Sequence, residues 1–241
     1  GAICISQAGA EELRQWLADQ VPAGPRPLRI AWFHLGADVA ASVPTQGLPD
    51  DAAALLARIG TGPAFLMVGT LEPRKRHAQV LEAFELLWAR HPDLNLVFIG
   101  KLGWNMADFR ARLQGHPEAG RRFHWLSGIS DEFLERIYAA SACLIAASEG
   151  EGFGLPLIEA ARHGLPIIAR DIPVFREVAG DHAYYFSGLD PAPLAGALED
   201  WLALYRRQAQ PRPAGLPWLT WRESAAMLLK VLQSGPGGGR T

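Results

Sequence analysis

The stretch that decides the fold is residues 143–156, CLIAASEGEGFGLP, where an apolar run enters a glycine-rich turn and then a second apolar pattern. The run 143–147 is too short and too uniformly apolar for an amphipathic helix, and it fits a strand buried on both faces of a parallel sheet. A helix is predicted over 155–163, with Pro156 near its first position and Gly164 at its end. The stretch therefore predicts a strand, a turn and a helix, which is the repeating unit of an α/β domain.

The same alternation extends along the chain in both directions. Further strands are predicted at 64–68, 94–99, 122–126, 166–169 and 183–186, and further helices at 76–90, 106–113, 131–141 and 191–205. Ser130 is a suitable N-cap for the third of these helices. Repeated strand–helix units of this kind predict a doubly wound parallel sheet.

The flanking segments differ from this central pattern. A strand over 2–6 and a helix over 10–17 precede a proline-rich break, and a strand over 28–33 follows it. One strand–helix pair cannot bury both of its faces alone, so it is predicted to be left over from a preceding domain. The predicted boundaries are 1–33 for this N-terminal remnant, 34–60 for an interdomain linker, 61–210 for the main domain, 218–233 for a C-terminal crossing helix and 234–241 for a disordered tail.

Composition excludes several classes of protein. The chain has 23 basic and 25 acidic residues, which argues against a nucleic-acid binder and a polybasic membrane anchor. Two cysteines, Cys4 and Cys143, are too few for a disulfide framework or a zinc site, and they favour a cytoplasmic location. No apolar run approaches the ~18 residues of a membrane-spanning helix. Because there is no initiator methionine, the chain is expected to be a piece of a longer protein.

The glycine-rich loop, residues 148–154, carries the first candidate site. A turn from the end of a strand into a helix offers backbone N–H groups and the positive end of the helix dipole. Gly152 and Gly154 allow a ligand to approach the backbone, although the third glycine of the dinucleotide fingerprint is replaced by Leu157. Glu151 and Glu159 could accept hydrogen bonds from the vicinal hydroxyls of a ribose or hexose. The alternatives are a simple tight turn and, for Glu159, compensation of the helix dipole.

The basic turn, residues 69–76 (GTLEPRKR), carries the second candidate site. Its three adjacent cations stand at the start of a predicted helix, where they oppose the dipole and a bound anion would offset them. The alternative is a solvated basic turn. Both loops follow strands of a parallel sheet, so they open on the same edge. Cations, N–H groups and carboxylates together predict a site for a nucleoside diphosphate that carries a sugar.

These residues resemble the retaining family-4 glycosyltransferases, whose GT-B fold has two Rossmann-like domains. The resemblance rests on Glu151-x7-Glu159 with EGFGLP at 151–156, and on 69–75, which is similar to the family's phosphate-binding element. The segments DIPVFREV at 171–178 and WRESA at 221–225 match later parts of the family pattern. The resemblance implies that this chain is the C-terminal, donor-binding half of a GT-B protein.

The resemblance also implies a role for each matching residue. Arg74 and Lys75 would bind the donor diphosphate and stabilise the leaving group, and Glu151 would complete the catalytic set by holding sugar hydroxyls. The implied donor-binding residues are Gly69 and Thr70 near the phosphates, Gly152, Phe153, Gly154 and Leu155 at the sugar, Glu159 at the ribose, and Ser127 and Ile129 beside the base. No metal or other cofactor is expected, because the basic pair takes the place of a metal.

Within the family, the chain is most similar to bacterial polysaccharide and O-antigen mannosyltransferases, through 100–104 and 168–175. This implies GDP-mannose as the donor, with UDP-sugars as the alternative, and a glycan or lipid-linked glycan as the acceptor, bound by the missing N-terminal domain. The full-length protein is expected in the cytoplasm, peripheral to the inner membrane. The chain alone is expected to be inactive, and either to self-associate or to leave its first ~30 residues mobile. A sugar-nucleotide epimerase of the same fold and a non-catalytic scaffold domain remain as competing hypotheses.

Overall fold

The computed structural model describes residues 1–20, 28–38 and 43–233 of the 241-residue chain. Its strands are β1 Ala2–Cys4, β2 Ile30–Trp32, β3 Ala64–Val68, β4 Asn95–Ile99, β5 Phe123–Leu126, β6 Cys143–Ala146, β7 Ile167–Arg170 and β8 Tyr184–Phe186. Its helices are α1 Gln7–Gln20, α2 Ala52–Ile59, α3 His77–Leu87, α4 Ala107–Gln114, α5 Asp131–Ala140, α6 Leu155–Arg162, α7 Pro173–Ala179, α8 Pro191–Arg206 and α9 Trp221–Gln233. Short 3-10 turns occupy Pro73–Lys75 and Gly180–His182.

Six parallel strands form the main sheet in the order β5-β4-β3-β6-β7-β8. The chain runs outward from β3 to β5 and then returns to place β6 on the other side of β3. The carboxyl ends of β3 and β6 therefore flank the switch point, where open α/β sheets bind their ligands. This topology confirms the predicted doubly wound parallel sheet.

Helices cover both faces of the sheet. One apolar layer contains residues of α2, α5, α6 and α7, and the other contains residues of α3, α4 and α8. Trp201 of α8 is fully buried and meets Phe65 of β3 edge-on, with ring centroids 5.4 Å apart. The strands are mostly apolar because both of their faces are covered.

Two helices were missed by the sequence analysis. The first, α2, lies inside 34–60, which was predicted as linker, and its Ala52, Leu55 and Ile59 are buried in the main core. The second, α7, overlaps the segment 171–178 that the sequence matched to a family pattern without a predicted conformation. Both are at most eight residues long, too short to show a helical period clearly.

The β1–α1–β2 unit stands beside this domain. Its two strands pair in parallel, Ala2 with Ile30 and Cys4 with Trp32, and α9 packs against β2. Gly36, just after β2, has no room for a side chain, because a Cβ there would lie 2.4 Å from the backbone of Trp221.

The predicted tail 234–241 and the proline-rich break at 21–27 lie outside the described residues. In the described ranges, no helix is both long and apolar enough to cross a membrane.

Candidate functional site

The basic turn and the glycine-rich loop meet at the switch point. The first follows β3 and the second follows β6, and these two strands are neighbours in the sheet. The N–H of Glu149 donates to the carbonyl of Arg74 at 2.9 Å, and Nη1 of Arg74 donates to the carbonyl of Gly150 at 2.8 Å. The two predicted loops therefore form one continuous surface at the carboxyl edge of the sheet.

Arg74, Lys75 and Glu151 form a charged cluster on this surface. Nζ of Lys75 donates to Oε1 of Glu151, and Nη1 of Arg74 lies 3.1 Å from Oε2 of the same carboxylate. The hydroxyl of Ser148 also donates to Oε1 of Glu151, at 2.7 Å. Lys75 and Glu151 are largely buried, with side chains 15% and 12% exposed. The structure thus brings together the three residues that the sequence assigned to the catalytic set.

Electrostatics keep Glu151 and Arg74 ionised. Burial alone would raise the pKa of Glu151, but the bonds from Lys75, Ser148 and Arg74 outweigh it, so the pKa lies below its ordinary value. Burial would lower the pKa of Arg74, but Glu151 and Glu72 outweigh it and the pKa is raised. Glu151 is therefore an anion that pairs with both cations.

The basic turn differs from its predicted conformation. Pro73–Lys75 is a 3-10 turn, Arg76 has the left-handed φ of 58°, and α3 begins only at His77. The helix therefore begins one residue after its predicted start at position 76, and the three cations stand in the turn that leads into it. Each cation meets a carboxylate of this chain, because Arg74 also pairs with Glu72 at 3.1 Å and Arg76 pairs with Glu149. The negative charge that the sequence analysis expected from a bound anion is therefore supplied by carboxylates of the chain itself.

Close backbone packing fixes the start of the basic turn. The N–H of Gly69 donates to the carbonyl of Ile99 at 2.9 Å, and the N–H of Leu71 donates to the carbonyl of Lys101 at 2.8 Å. A Cβ at Gly100 would lie 1.9 Å from the carbonyl oxygen of Gly69, so only glycine fits at position 100. This segment continues the pairing of β3 with β4 beyond the sheet. It places Gly69 next to Lys75 and leaves Thr70, the following residue, exposed.

Packing also explains two of the three glycines of the glycine-rich loop, Gly152 and Gly154. Gly154 has the left-handed φ of 103°, and a Cβ there would lie 3.1 Å from the ring of Phe175. A Cβ at Gly152 would lie 2.9 Å from Cδ1 of Ile5. Phe153 between them is buried, and α6 starts at Leu155. The backbone of the loop therefore packs closely against the side chains of Ile5 and Phe175 before any ligand is considered.

Glu159 lies apart from the charged cluster. It is on α6, and its Oε2 accepts a hydrogen bond from the hydroxyl of Tyr138 at 3.1 Å. Tyr138 in turn stacks on His163, with ring centroids 4.5 Å apart. Burial raises the pKa of Glu159, and the Tyr138 bond offsets this only in part. The two carboxylates of the predicted pair therefore occupy different surroundings.

Ser127 and Ile129 lie after β5, two strands away from β3 on the same edge of the sheet. Ser127 is exposed and borders a surface pocket of about 460 Å³ that Arg58 and Trp125 also line. Ile129 packs against the core. Ser130 accepts from the N–H of Phe133 at 3.1 Å, which confirms the predicted cap of α5.

Sequence reasoning missed four neighbours of the charged cluster. Glu72 pairs with Arg74, Glu149 pairs with Arg76, and Ser148 donates to Glu151. The acidic residues of EPRKR at 72–76 and EGE at 149–151 were the sequence signal for the first two. His77 is buried beside Lys75, and no described residue hydrogen-bonds to either ring nitrogen. Burial and the charge of Lys75 lower the pKa of His77 to about 3, so its imidazole is neutral.

Among the residues that the structure describes, no three His, Cys, Asp or Glu side chains are arranged to hold a metal ion.

The fold and the site define a class: a Rossmann-like α/β domain with a charged cluster and a glycine-rich loop at its switch point. Residues 55–215 match the model of the family described as Glycosyl transferases group 1. The chain therefore belongs to this family, and the resemblance found in the sequence is confirmed.

Several known proteins are similar to this chain. The serotype-specific mannosyltransferase WbdA of Escherichia coli is 54% identical over 95% of this chain. A phosphatidyl-myo-inositol mannosyltransferase of Mycobacterium tuberculosis is 30% identical over 85% of it, and that match covers 56% of the mycobacterial protein. The structure of Anabaena HepE in complex with UDP and glucose matches 96% of this chain and 62% of that one, with TM-score 0.71 and 17% identity, which shows a shared fold. The chain spans only 28% of the length of WbdA.

Proposed function

We propose that the full-length protein is a retaining mannosyltransferase that takes its sugar from a nucleoside-diphosphate donor, GDP-mannose, bound where β3 and β6 diverge. The charged cluster carries this proposal, because it stands at the ligand edge of a group 1 glycosyltransferase domain that is 54% identical to WbdA. Diphosphate recognition needs fixed cations at such an edge, and Arg74 and Lys75 supply a planar fork and a point charge.

In the proposed reaction, the bond between the anomeric carbon of the sugar and the β-phosphate oxygen breaks. An acceptor hydroxyl forms the new bond on the same face of the sugar, and its proton passes to the departing β-phosphate oxygen. Negative charge grows on the departing diphosphate, where Arg74 and Lys75 stabilise it without moving. No metal is needed for this role, because two cations of the chain already face the leaving group.

Donor binding must rearrange the charged cluster. In the unliganded chain Glu151 occupies both cations, so a diphosphate has to replace it as their counter-ion. The carboxylate is then free to accept hydrogen bonds from the sugar hydroxyls, beside the N–H groups of 152–155. The same three side chains thus have two arrangements. In one, Glu151 pairs with both cations, and in the other the donor diphosphate pairs with them.

The other predicted contacts complete the donor site in this proposal. Glu159 would accept the ribose hydroxyls, since no described residue bonds to its Oε1. Gly69 and Thr70 would form the floor near the phosphates, and Ser127 and Ile129 would flank the base from the neighbouring loop. All of these segments lie at the carboxyl edge of the sheet or in the first turns of a helix that begins there.

The proposed acceptor is a growing cell-surface polysaccharide or O-antigen glycan. WbdA and, at 37% identity over 48% of this chain, an O-antigen chain mannosyltransferase B of Escherichia coli support this substrate class. The acceptor would be bound by parts of the protein outside this chain, in the cytoplasm and at the inner face of the membrane, where nucleotide sugars meet lipid-linked glycans. Self-association of this chain stays a prediction.

Calorimetric titration of the chain with GDP, UDP, ADP and their mannose or glucose derivatives tests the proposal. GDP and GDP-mannose should bind most tightly, and a transfer assay on the full-length protein should give a mannosylated glycan with retained anomeric configuration. Absence of binding by any nucleoside diphosphate would contradict the proposal. Conversion of the free sugar nucleotide into an epimer would favour the epimerase hypothesis, and donor binding without turnover by the full-length protein would favour the scaffold.

A further inference from the structure

Glu177, on α7, connects three parts of the chain away from the charged cluster. Its Oε1 accepts from the backbone N–H of Gln7 at 2.7 Å, and its Oε2 accepts from the N–H of Ala8 at 2.7 Å. Oε1 also lies 2.6 Å from Nε2 of His34. The carboxylate thus compensates the positive end of α1 and joins both α1 and the segment after β2 to α7.

The partners of Glu177 lead to the glycine-rich loop. The imidazole of His34 packs on the ring of Phe153, with centroids 5.2 Å apart. One residue earlier in the loop, Cδ1 of Ile5 fills the space where Gly152 would carry a side chain. The carbonyl of His34 is held by the hydroxyl of Ser224 on α9 at 2.6 Å. Two consecutive loop residues therefore rest on the β1–α1–β2 unit and on the segment that follows it.

This support comes from outside the matched family domain. Ile5 and His34 precede residue 55, where the family match begins, whereas Glu177 and the loop lie within it. The side chains of Glu177 and His34 are only 15% and 29% exposed, and the carboxylate accepts from two backbone N–H groups besides its contact with His34. Such a group has little freedom, so it fixes the elements that it joins.

We propose that Glu177 and His34 are positioning residues for the donor site. Through their mutual bond, they hold the β1–α1–β2 unit against Gly152 and Phe153 and so set the shape of the loop whose N–H groups would bind the donor sugar. The identity of the ligand in this inference rests on the proposed function, whereas the positioning of the loop is a property of the unliganded protein.

The inference predicts a selective effect on the sugar end of the donor. Arg74 and Lys75 are held by Glu72, Glu151 and the carbonyl of Gly150, and neither cation contacts Glu177 or His34. Loss of the Glu177–His34 bond should therefore leave the diphosphate contacts in place. A general loss of structure would instead weaken every ligand to the same extent.

Amide exchange followed by NMR on the unliganded chain tests the positioning itself. We expect Glu177→Ala to accelerate exchange at Gln7, Ala8 and residues 152–154 by roughly 10-fold, about 1.4 kcal/mol of local opening. Glu177→Gln should have a smaller effect, because it keeps the Oε1 acceptor. The matched control is Glu199→Gln, which removes a carboxylate that lies 3.2 Å from Nε2 of His91 elsewhere on the surface. Unchanged exchange at 152–154 in both Glu177→Ala and His34→Ala would overturn the inference.

Titration with GDP and GDP-mannose supplies the second measurement. We expect Glu177→Ala and His34→Ala to weaken the binding of GDP-mannose roughly 10-fold and the binding of GDP by less than about 2-fold. His34→Phe keeps a ring on Phe153, so its affinity for GDP-mannose should lie between those of wild type and His34→Ala. Equal losses for both ligands would overturn the inference. If wild type bound neither ligand, the proposed function would fail, and the exchange measurement would still decide whether the loop is positioned in this way.

Discussion

The surroundings of Glu151 and of Glu159 differ in almost every respect, although the sequence presents the two residues as one motif. Glu151 contacts two cations and a serine hydroxyl, and its pKa lies below the ordinary value despite burial. Glu159 contacts one phenol, and burial raises its pKa. The first carboxylate is a counter-ion and the second is a half-buried acid. Spacing along the chain therefore places two carboxylates near one helix without giving them the same chemistry.

The difference suggests how each region should meet a ligand. Both cations of the charged cluster already contact Glu151, so a diphosphate gains only the difference between its own contacts and those of the carboxylate that it displaces. The region around Glu159 has a single hydrogen bond to give up. We therefore expect mutations in the first region to act on charge and ligand binding together, and mutations in the second to act weakly.

The largest expected effect is the loss of a cation from the charged cluster. Lys75→Ala or Arg74→Ala should weaken nucleoside diphosphate binding by about 1.5–3 kcal/mol, the scale of a hydrogen bond to a charged group. Isothermal titration with GDP measures this loss. Arg90→Ala is the matched control, because Arg90 also pairs with a glutamate but lies just beyond the C-terminal end of α3. Unchanged affinity in both cluster variants would remove these residues from the ligand site.

The next effect comes from the internal counter-ion. Glu151→Gln should lower the free energy of unfolding of the unliganded chain by about 1–3 kcal/mol, because two partly buried cations lose their carboxylate. A nucleoside diphosphate restores the missing negative charge, so it should raise the melting temperature of this variant more than that of wild type. Thermal melts with and without GDP measure both quantities. A smaller GDP shift in the variant than in wild type would show that Glu151 does not compete with the ligand.

The fold was predictable because it depends on short apolar strands and on turn residues that the sequence displays directly. Strand β3 was predicted at its observed bounds, and the switch point follows from the order of the units. Helix α2 was missed, because its eight residues carry apolar side chains on most positions and show no clear helical period.

The site was predictable only in part, for a physical reason. Glycine-rich and basic segments at strand ends are visible in the sequence, so Arg74, Lys75 and Glu151 were found. The ion pairs of Glu72 and Glu149, the neutral His77 and the support of Phe153 by His34 depend on side-chain directions that spacing does not fix. The separation of Glu159 from the cluster has the same origin.

The dependence of stability on acid pH sharpens the comparison at Glu151. Its pKa is depressed in the folded chain, so its contribution is fully present above the unfolded value near 4.5 and is lost as pH falls through the folded value. The melting-temperature difference between wild type and Glu151→Gln should therefore be constant from pH 7 to pH 5 and shrink below about pH 4.5. Glu12→Gln on the exposed side of α1 is the control for a generic carboxylate change. A difference that grows as the solution is acidified would contradict the ionised counter-ion.

The smallest expected effect concerns Glu159, whose contribution to stability depends on pH in the opposite direction. Its pKa is raised by burial in the folded chain, so ionisation costs stability as pH rises from the unfolded value near 4.5 through the folded value. The side chain of Glu159→Gln cannot ionise, and its carbonyl can still accept from Tyr138. Over this pH range the free energy of unfolding of the variant should therefore rise relative to that of wild type by about 1 kcal/mol or less. Because the Tyr138 bond lowers the pKa of Glu159, Tyr138→Phe should move the same change to higher pH. Thermal melts of the three proteins from pH 4 to pH 8 measure the slopes. If Glu159→Gln lost stability relative to wild type as pH rose, Glu159 would be a stabilising anion like Glu151, and the contrast between the two carboxylates would disappear.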